Sequence, residues 1–139
     1  MKIGFSGYSK IEGERFEVPP PKGLRVDVRM NVIAYEAQPD GSFRVRFSLH
    51  VQYGNLGMLR LDGYLKVEDV EEGLRKKWLR EGKIPEEAMV QIHTTLARIC
   101  IPDAVVFSKF LNLPPPVPLP VPPQTKKKRE DRGWEVGFA

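Results

Sequence analysis

The sequence predicts an α+β fold, in which a four-stranded antiparallel sheet is covered by a long helix. Apolar and polar residues alternate at every second position over residues 24–32, 43–53 and 59–67. The apolar period then changes to that of a helix, and a proline-rich segment follows. A period of two is typical of strands with one buried and one solvated face. Three such strands joined by short turns form a meander whose apolar face must be covered.

The first strand is predicted to be irregular and to lie within residues 1–18. Its apolar positions are interspersed with glycines and charged residues, and they are Ile3, Phe5, Phe16 and Val18. Three consecutive prolines at 19–21 end it, because proline has no N–H to donate to a sheet ladder.

Turn-forming residues separate the next three strands. The second strand is predicted over residues 24–32, and the Pro-Asp-Gly sequence at 39–41 predicts the turn before the third strand. The third strand covers 43–53 and is followed by a glycine-containing turn at 54–57. The fourth strand then continues to Val67.

Two helices are predicted after the strands. A short, highly charged helix over residues 68–81 carries Leu74, Trp78 and Leu79 on one face. We expect it to end at Gly82, because glycine is favoured as a C-terminal cap.

The principal helix is predicted to begin at Pro85, since proline suits a first helical position. Its apolar stripe, which we expect to cover the sheet, consists of Met89, Ile92, Leu96 and Ile99. Pro102 predicts a kink or a break near Ile101, because it removes a backbone donor. Asp103 is then available to cap a restarted helix.

Length and composition predict one globular domain with an appended arm. The chain has 139 residues, of which 41% are hydrophobic and 29% charged, so it can bury a modest core. We place the domain at residues 1–113 and a proline-rich arm with a basic tail at 114–139. No apolar run approaches membrane-spanning length, and the N-terminus lacks a signal-peptide core. A single cysteine, Cys100, cannot form an internal disulfide, so we expect a cytoplasmic protein.

No group of residues in the sequence predicts catalysis. His50 is expected on the polar face of the third strand and His93 beside the helix stripe, neither with a second ligand at metal spacing. Cys100 has no evident histidine partner and is expected to be a buried small residue. We therefore expect no enzymatic activity, no metal, no cofactor and no small-molecule substrate.

Basic residues are the other notable feature, and the net charge is +4. Five arginines fall on polar positions of the predicted sheet: Arg25, Arg29, Arg44, Arg46 and Arg60. In one interpretation Asp27 and Asp62 are their cross-strand partners on a solvated face. In the other, the arginines form a patch that binds phosphate or an acidic protein. The tail adds further basic residues, namely Lys126, Lys127, Lys128, Arg129 and Arg132.

The order of the elements and several short strings resemble the SecB family of export chaperones. The strings are Arg15-Phe16-Glu17-Val18-Pro19, Leu24-Arg25-Val26-Asp27-Val28 and Leu111-Asn112-Leu113-Pro114. The resemblance implies a four-stranded antiparallel sheet followed by a long helix, assembled as dimers of dimers. Family chaperones are acidic and dock the export motor through their acidic ends. This chain is net basic and differs there, so the motor partner is not implied for it.

Two functions from different classes are consistent with these features. The basic tail favours a homo-oligomeric factor that docks on a ribosomal subunit, contacting ribosomal RNA and proteins through the basic residues. The alternative is a SecB-type holdase that binds unfolded polypeptides in apolar grooves. In either case we expect a homodimer or tetramer and no membrane insertion. Apolar contacts with another subunit or a client are expected from Phe107, Phe110, Leu111, Trp134 and Phe138.

Overall fold

The structure is a computed structural model and describes residues 1–16 and 23–116. Four strands form one antiparallel sheet, and two helices follow it. The elements are β1 (Lys2–Arg15), β2 (Asp27–Ala37), β3 (Phe43–Gln52), β4 (Gly57–Glu68), α1 (Glu72–Glu81) and α2 (Glu86–Phe110). The predicted α+β class and antiparallel sheet are confirmed.

The order of strands across the sheet is β1-β4-β3-β2. Strands β2, β3 and β4 form the predicted meander, and β1 pairs with β4. The two edges of the sheet are therefore β1 and β2. None of the helices in the described ranges is long and apolar enough to cross a membrane.

Strand β2 begins and ends later than the predicted range of 24–32. It starts at Asp27, and Leu24 and Val26 pack partly against the core without joining the ladder. The pairing register with β3 shifts between Val32 and Ala34. The bulge adds one residue to β2 at this point. The next inner-face residue after Val32 is therefore Tyr35, three positions later, and the alternation with a period of two ends at Val32.

The inner face of the two central strands is completely covered. It consists of the residues that the alternation predicted, which are at most 1% exposed: Phe43, Val45, Phe47, Leu49, Val51, Leu59, Leu61, Leu65 and Val67. Burial of this face is the main apolar contribution to stability. Each Å² of apolar surface removed from water stabilises the folded protein by roughly 25 cal/mol.

Helix α1 begins at Glu72 instead of residue 68, because β4 extends through Glu68. Trp78 is completely buried, whereas Leu79 is 50% exposed, so Leu79 does not belong to the buried face as predicted. The helix ends at Glu81, and Gly82 caps it as predicted, in a left-handed conformation with a φ of 67°.

Helix α2 packs on the sheet with a stripe that differs from the predicted one. Its buried residues follow one another at intervals of four: Ala88, Ile92, Leu96, Cys100, Ala104 and Ser108. Four residues turn about 400°, so each step moves the stripe about 40° around the helix axis. Ile92 and Leu96 were predicted correctly, but Met89 and Ile99 are only half-buried. The small residues in the stripe allow close approach to the sheet.

Helix α2 continues through Pro102 without a break. Pro102 is exposed, so water can hydrogen-bond the carbonyl that loses its backbone donor. The predicted restart capped by Asp103 is therefore wrong. Asp103 lies within the helix and contacts β1 instead.

The end of α2 is fixed against the Arg15 end of β1. Asn112 has a φ of 54°, a left-handed conformation that asparagine tolerates at helix ends. The chain then turns so that the N–H of Leu113 donates to the carbonyl of Ser108 at 2.9 Å, and Leu113 is buried. The Arg15 guanidinium donates to the carbonyl of Asn112.

Candidate functional site

Three aromatic side chains form an open cluster at the β1 edge of the sheet: Phe5, Tyr8 and Phe47. The ring centroids of Phe5 and Tyr8 are 4.8 Å apart, and both lie 6.3–6.4 Å from that of Phe47. Gly63 leaves room for this packing, because a β-carbon there would come within 2.9 Å of Cζ of Phe47. Phe5 remains 40% exposed, so the open cluster presents apolar surface to solvent.

Strand β1 presents a row of apolar residues through an irregular register. Its pairing with β4 shifts between Phe5 and Gly7 and again between Tyr8 and Lys10. At each shift β1 has one more residue than β4, so inner-face residues of β1 follow one another at intervals of three there. Phe5, Tyr8 and Ile11 therefore share the inner face, opposite Leu65, Gly63 and Leu61 of β4.

A polar contact joins this row to the helix. The Tyr8 hydroxyl donates to Oδ2 of Asp103 at 2.5 Å. Burial, followed by this hydrogen bond, raises the pKa of Tyr8 far above its ordinary value. Burial also raises the pKa of the neighbouring Cys100 thiol. Both groups are therefore protonated at neutral pH, and the contact positions β1 against α2.

The contact also shows which side of α2 faces β1. Phe107 and Phe110 follow Asp103 by four and seven residues, so the three side chains share one side of the helix. Phe107 packs partly on the core, whereas Phe110 is 78% exposed. Leu111 reaches β1 as well, because its Cδ1 lies 2.6 Å from where a β-carbon on Gly13 would be.

These side chains together form one candidate binding surface. We call it the β1–α2 surface, and it consists of Phe5, Tyr8, Ile11, Phe107, Phe110 and Leu111. Ile11 is 51% exposed. The surface includes all three apolar contact residues predicted for the described part of the chain. Their role in binding stays a prediction.

The surface borders a free strand edge. Within residues 1–16 and 23–116, β1 pairs only with β4 and its other edge has no partner. Such an edge offers unpaired N–H and C=O groups to an extended peptide. Backbone pairing is independent of sequence, and the adjacent apolar side chains add affinity. The arrangement therefore suits an extended, apolar polypeptide segment.

Some arginines of the polar face of the sheet, opposite the inner face, have partners within the chain. Arg25 pairs with Asp27 at 3.0 Å, and Arg60 pairs with Asp62 at 3.1 Å. Both partners lie two residues away on the arginine's own segment, so they are not the cross-strand partners we predicted. The guanidinium carbon of Arg44 lies 3.9 Å from the ring centroid of Tyr64, a cation–π contact.

The strand register brings some of the basic residues together. Arg29 lies opposite His50, which in turn lies opposite Arg60. Asp62 beside them is almost fully buried. Burial raises its pKa, but hydrogen bonds from Ser48 and Arg60 outweigh that effect, so the pKa is lowered and the carboxylate stays ionised. Binding of an anion by this face stays a prediction.

The predicted tail contacts all lie outside the described residues. They are Lys126, Lys127, Lys128, Arg129, Arg132, Trp134 and Phe138. The boundary between a domain at 1–113 and an arm at 114–139 likewise stays a prediction.

Other polar groups of the described part have structural roles. Cys100 is buried, as predicted, and no cluster of three or more His, Cys, Asp or Glu in residues 1–16 and 23–116 could hold a metal ion. Asp40 accepts hydrogen bonds from the Ser42 hydroxyl at 2.6 Å and the Ser42 N–H at 2.9 Å. These bonds lower its pKa to about 2 and fix the turn between β2 and β3.

Comparison with known proteins identifies the fold. No protein-family model matches the chain, and a search of curated proteins finds no match. Among solved structures, the chain is similar to the Rv1957 SecB-like chaperone of Mycobacterium tuberculosis, solved in complex with a ChAD peptide from the Rv1956 HigA1 antitoxin. The TM-score is 0.56 at 20% identity, covering 88% of this chain and 87% of that one. The protein therefore has a SecB-like fold, as the sequence predicted.

Proposed function

We propose that the protein is a non-enzymatic holdase that binds unfolded polypeptide segments on the β1–α2 surface. The observation that carries this proposal is the exposed apolar row of β1 beside a strand edge that has no partner among the described residues. The likeness to a chaperone solved with a bound peptide supports it. The ribosome-associated function, which the basic tail favoured, has no support from the comparisons.

The chemistry of the β1–α2 surface suits clients of varied sequence. An extended client would hydrogen-bond the β1 edge through its backbone and place alternate side chains on Phe5, Ile11 and Phe107. Apolar burial is non-directional, so many sequences would gain affinity from it. Folded proteins hide both their backbone groups and their apolar side chains, and would be excluded.

Self-association forms part of the proposal. Phe110 is 78% exposed and Val106 on the same helix is 50% exposed, and an uncovered apolar area of this kind is typical of interfaces. We expect a homodimer or a tetramer, with twofold symmetry as the commonest arrangement. Sedimentation at micromolar concentration would measure this, and a monomer would contradict it.

The chain offers a matched pair of variants to test client binding. Ile11 is 51% exposed on edge strand β1, and Ile33 is 48% exposed on edge strand β2. Ile11→Gln should weaken binding of a labelled unfolded peptide about fivefold, because covering the exposed half of an isoleucine is worth roughly 1 kcal/mol. Ile33→Gln should change binding less than twofold.

Fluorescence anisotropy measures the affinity, and light scattering measures protection of a reductively unfolded test protein. Both variants should keep the wild-type unfolding midpoint, since each replaces a half-exposed side chain. Equal losses from Ile11→Gln and Ile33→Gln would contradict the assignment of the surface. A wild-type protein that binds no unfolded peptide would contradict the function.

A further inference from the structure

Strand β2 forms the second edge of the sheet, and among the described residues it pairs only with β3. We infer that two copies of the chain join through this edge, with β2 of one copy antiparallel to β2 of its partner. The inference rests on the self-association in the proposed function and names the surface that forms it. Client binding is not involved, because the β1–α2 surface lies at the other edge of the sheet.

The β2 edge lacks most of the features that protect a free strand. Such edges are usually short or carry lysine or proline, which discourage pairing with another chain. Strand β2 has 11 residues and contains no lysine or proline. Val28 on it is 39% exposed, although Val51 opposite it on β3 is 0% exposed. A strand added at this edge would therefore cover apolar surface that β2 exposes.

The bulge near the middle of β2 restricts the register of such a pairing. Inner-face residues are even-numbered up to Val32 and odd-numbered from Tyr35 onwards, and residues that lie opposite one another must share a face. A twofold axis that places Val32 of each copy opposite Ile33 of the other meets this condition along the whole strand. Met30, for example, then lies opposite the partner's Tyr35. A slip by one residue in either direction would place Met30 opposite a residue of the polar face.

The same register pairs two charged residues of the strand. Arg29 of each copy falls opposite Glu36 of the other, so the twofold axis gives two such pairs. Opposite charges that face one another across strands stabilise the pairing, and like charges oppose it. A shift by two residues would place Asp27 opposite Glu36, or Arg29 opposite Gln38. Charge therefore favours the register that the bulge allows.

Both charged groups are available to a second copy. Arg29 and Glu36 are exposed, and neither takes part in an ion pair within residues 1–16 and 23–116. Glu36 lies opposite Arg44 on β3, but the guanidinium carbon of Arg44 lies 3.9 Å from the ring centroid of Tyr64. The residue opposite Arg29 on β3 is His50, which cannot neutralise it. A second β2 strand would supply an opposite charge to each of them.

The pairing would join two four-stranded sheets into one continuous sheet, with a β1 strand at each outer edge. Each copy would keep its β1–α2 surface open to clients. A variant that breaks the pairing should therefore bind a labelled unfolded peptide as the wild type does.

Charge reversal in the full-length chain tests the pairing by sedimentation at micromolar concentration. Arg29→Glu and Glu36→Arg should each halve the mass of the wild-type assembly, because each places like charges opposite one another at both pairs. An equimolar mixture of these two variants should recover the wild-type mass, since the acidic edge of one copy then faces the basic edge of the other. Recovery also shows that both variants are folded. Arg46→Glu, the same change of charge at an exposed position of central strand β3, should keep the wild-type mass. Ile33→Gln alters neither charged pair and should keep it as well.

Reversals that leave the mass unchanged would overturn the inference, as would a mixture that does not recover it. An equal loss of mass in Arg46→Glu would attribute the effect to net charge and would also overturn it. Weaker binding of the unfolded peptide by Arg29→Glu would make the β2 edge a client site and exclude the pairing. A wild-type monomer would contradict the self-association and the inference together, whereas failure to bind the peptide would contradict only the holdase function.

Discussion

Two aromatic clusters lie on the inner face of the same sheet, and they differ in what covers them. The closed cluster consists of Tyr35, Phe43 and Trp78; the rings of Phe43 and Trp78 stack at 4.0 Å with an interplanar angle of 1°. Phe43 and Trp78 are 0% exposed because α1 covers this end of the sheet. In the open cluster, Phe5 is 40% exposed.

The difference shows that one apolar face can serve two purposes. Where a helix covers the face completely, aromatic burial stabilises the fold. Where the face reaches the edge strand β1, part of it remains available for binding. The closed cluster should therefore dominate unfolding experiments, and the open cluster should dominate binding experiments.

Truncation of the buried tryptophan should have the largest effect on stability. Trp78→Ala removes a completely buried ring that stacks on Phe43 and contacts Tyr35, so it should lower the free energy of unfolding by about 3–5 kcal/mol. Urea denaturation followed by circular dichroism measures the change.

The matched change in the open cluster is Phe5→Ala. Because Phe5 is partly exposed, the loss should be smaller, roughly 1–2 kcal/mol, while affinity for an unfolded peptide should fall. Equal losses of stability from the two truncations would show that the clusters do not differ as described.

Removal of the Tyr8 hydroxyl should have an intermediate effect. Tyr8→Phe leaves Asp103 without its donor and should lower the free energy of unfolding by about 1 kcal/mol at pH 7. The pKa values of Tyr8 and Tyr53 are raised in the folded protein, the latter to about 12. Their contribution to stability is therefore constant below the unfolded tyrosine pKa near 10 and is lost as the pH rises above it.

The pH dependence supplies a control for that variant. Urea titrations at pH 8 and pH 11 should show a smaller loss of stability at high pH for Tyr8→Phe than for the wild type, because the contribution of Tyr8 is absent while those of Tyr53, Cys100 and Lys66 remain. An identical loss in both proteins would mean that Tyr8 is not held in the protonated form by its surroundings.

The sequence predicted the regular parts of this fold, and it predicted that the first strand is irregular, but it did not locate the bulges of β1 and β2. Alternation located β3 and β4 because both faces of these strands keep a strict period of two. The two bulges of β1 instead space Phe5, Tyr8 and Ile11 by three residues, which is not a strand period. For this reason the open cluster was not predicted, although a glycine such as Gly7 within a strand is a known sign of a bulge.

The candidate site was predicted only on its helical side. Phe107, Phe110 and Leu111 are large apolar residues near the end of a helix, and their spacing could be recognised without knowing the strand order. The position of β1 beside β4 could not be deduced, because either edge of the meander could accept a fourth strand. The buried stripe of α2 was predicted incorrectly because the prediction relied on large apolar residues. Four of the six buried residues are small, and only the structure shows that they contact the sheet.

Neutralising the basic run in the tail should have the smallest effect on stability. Replacing Lys126, Lys127, Lys128 and Arg129 with glutamine should change the free energy of unfolding by less than about 0.5 kcal/mol, because these residues lie outside the predicted core and surface substitutions of this kind have small effects. Near-UV circular dichroism of the closed cluster should not change. The variant should still bind an unfolded peptide, because binding to the β1–α2 surface depends on apolar area. Co-sedimentation with ribosomal subunits at low and high salt tests the other function. Binding by the wild type that weakens steeply with salt and disappears in the variant would favour the ribosome-associated function over the holdase.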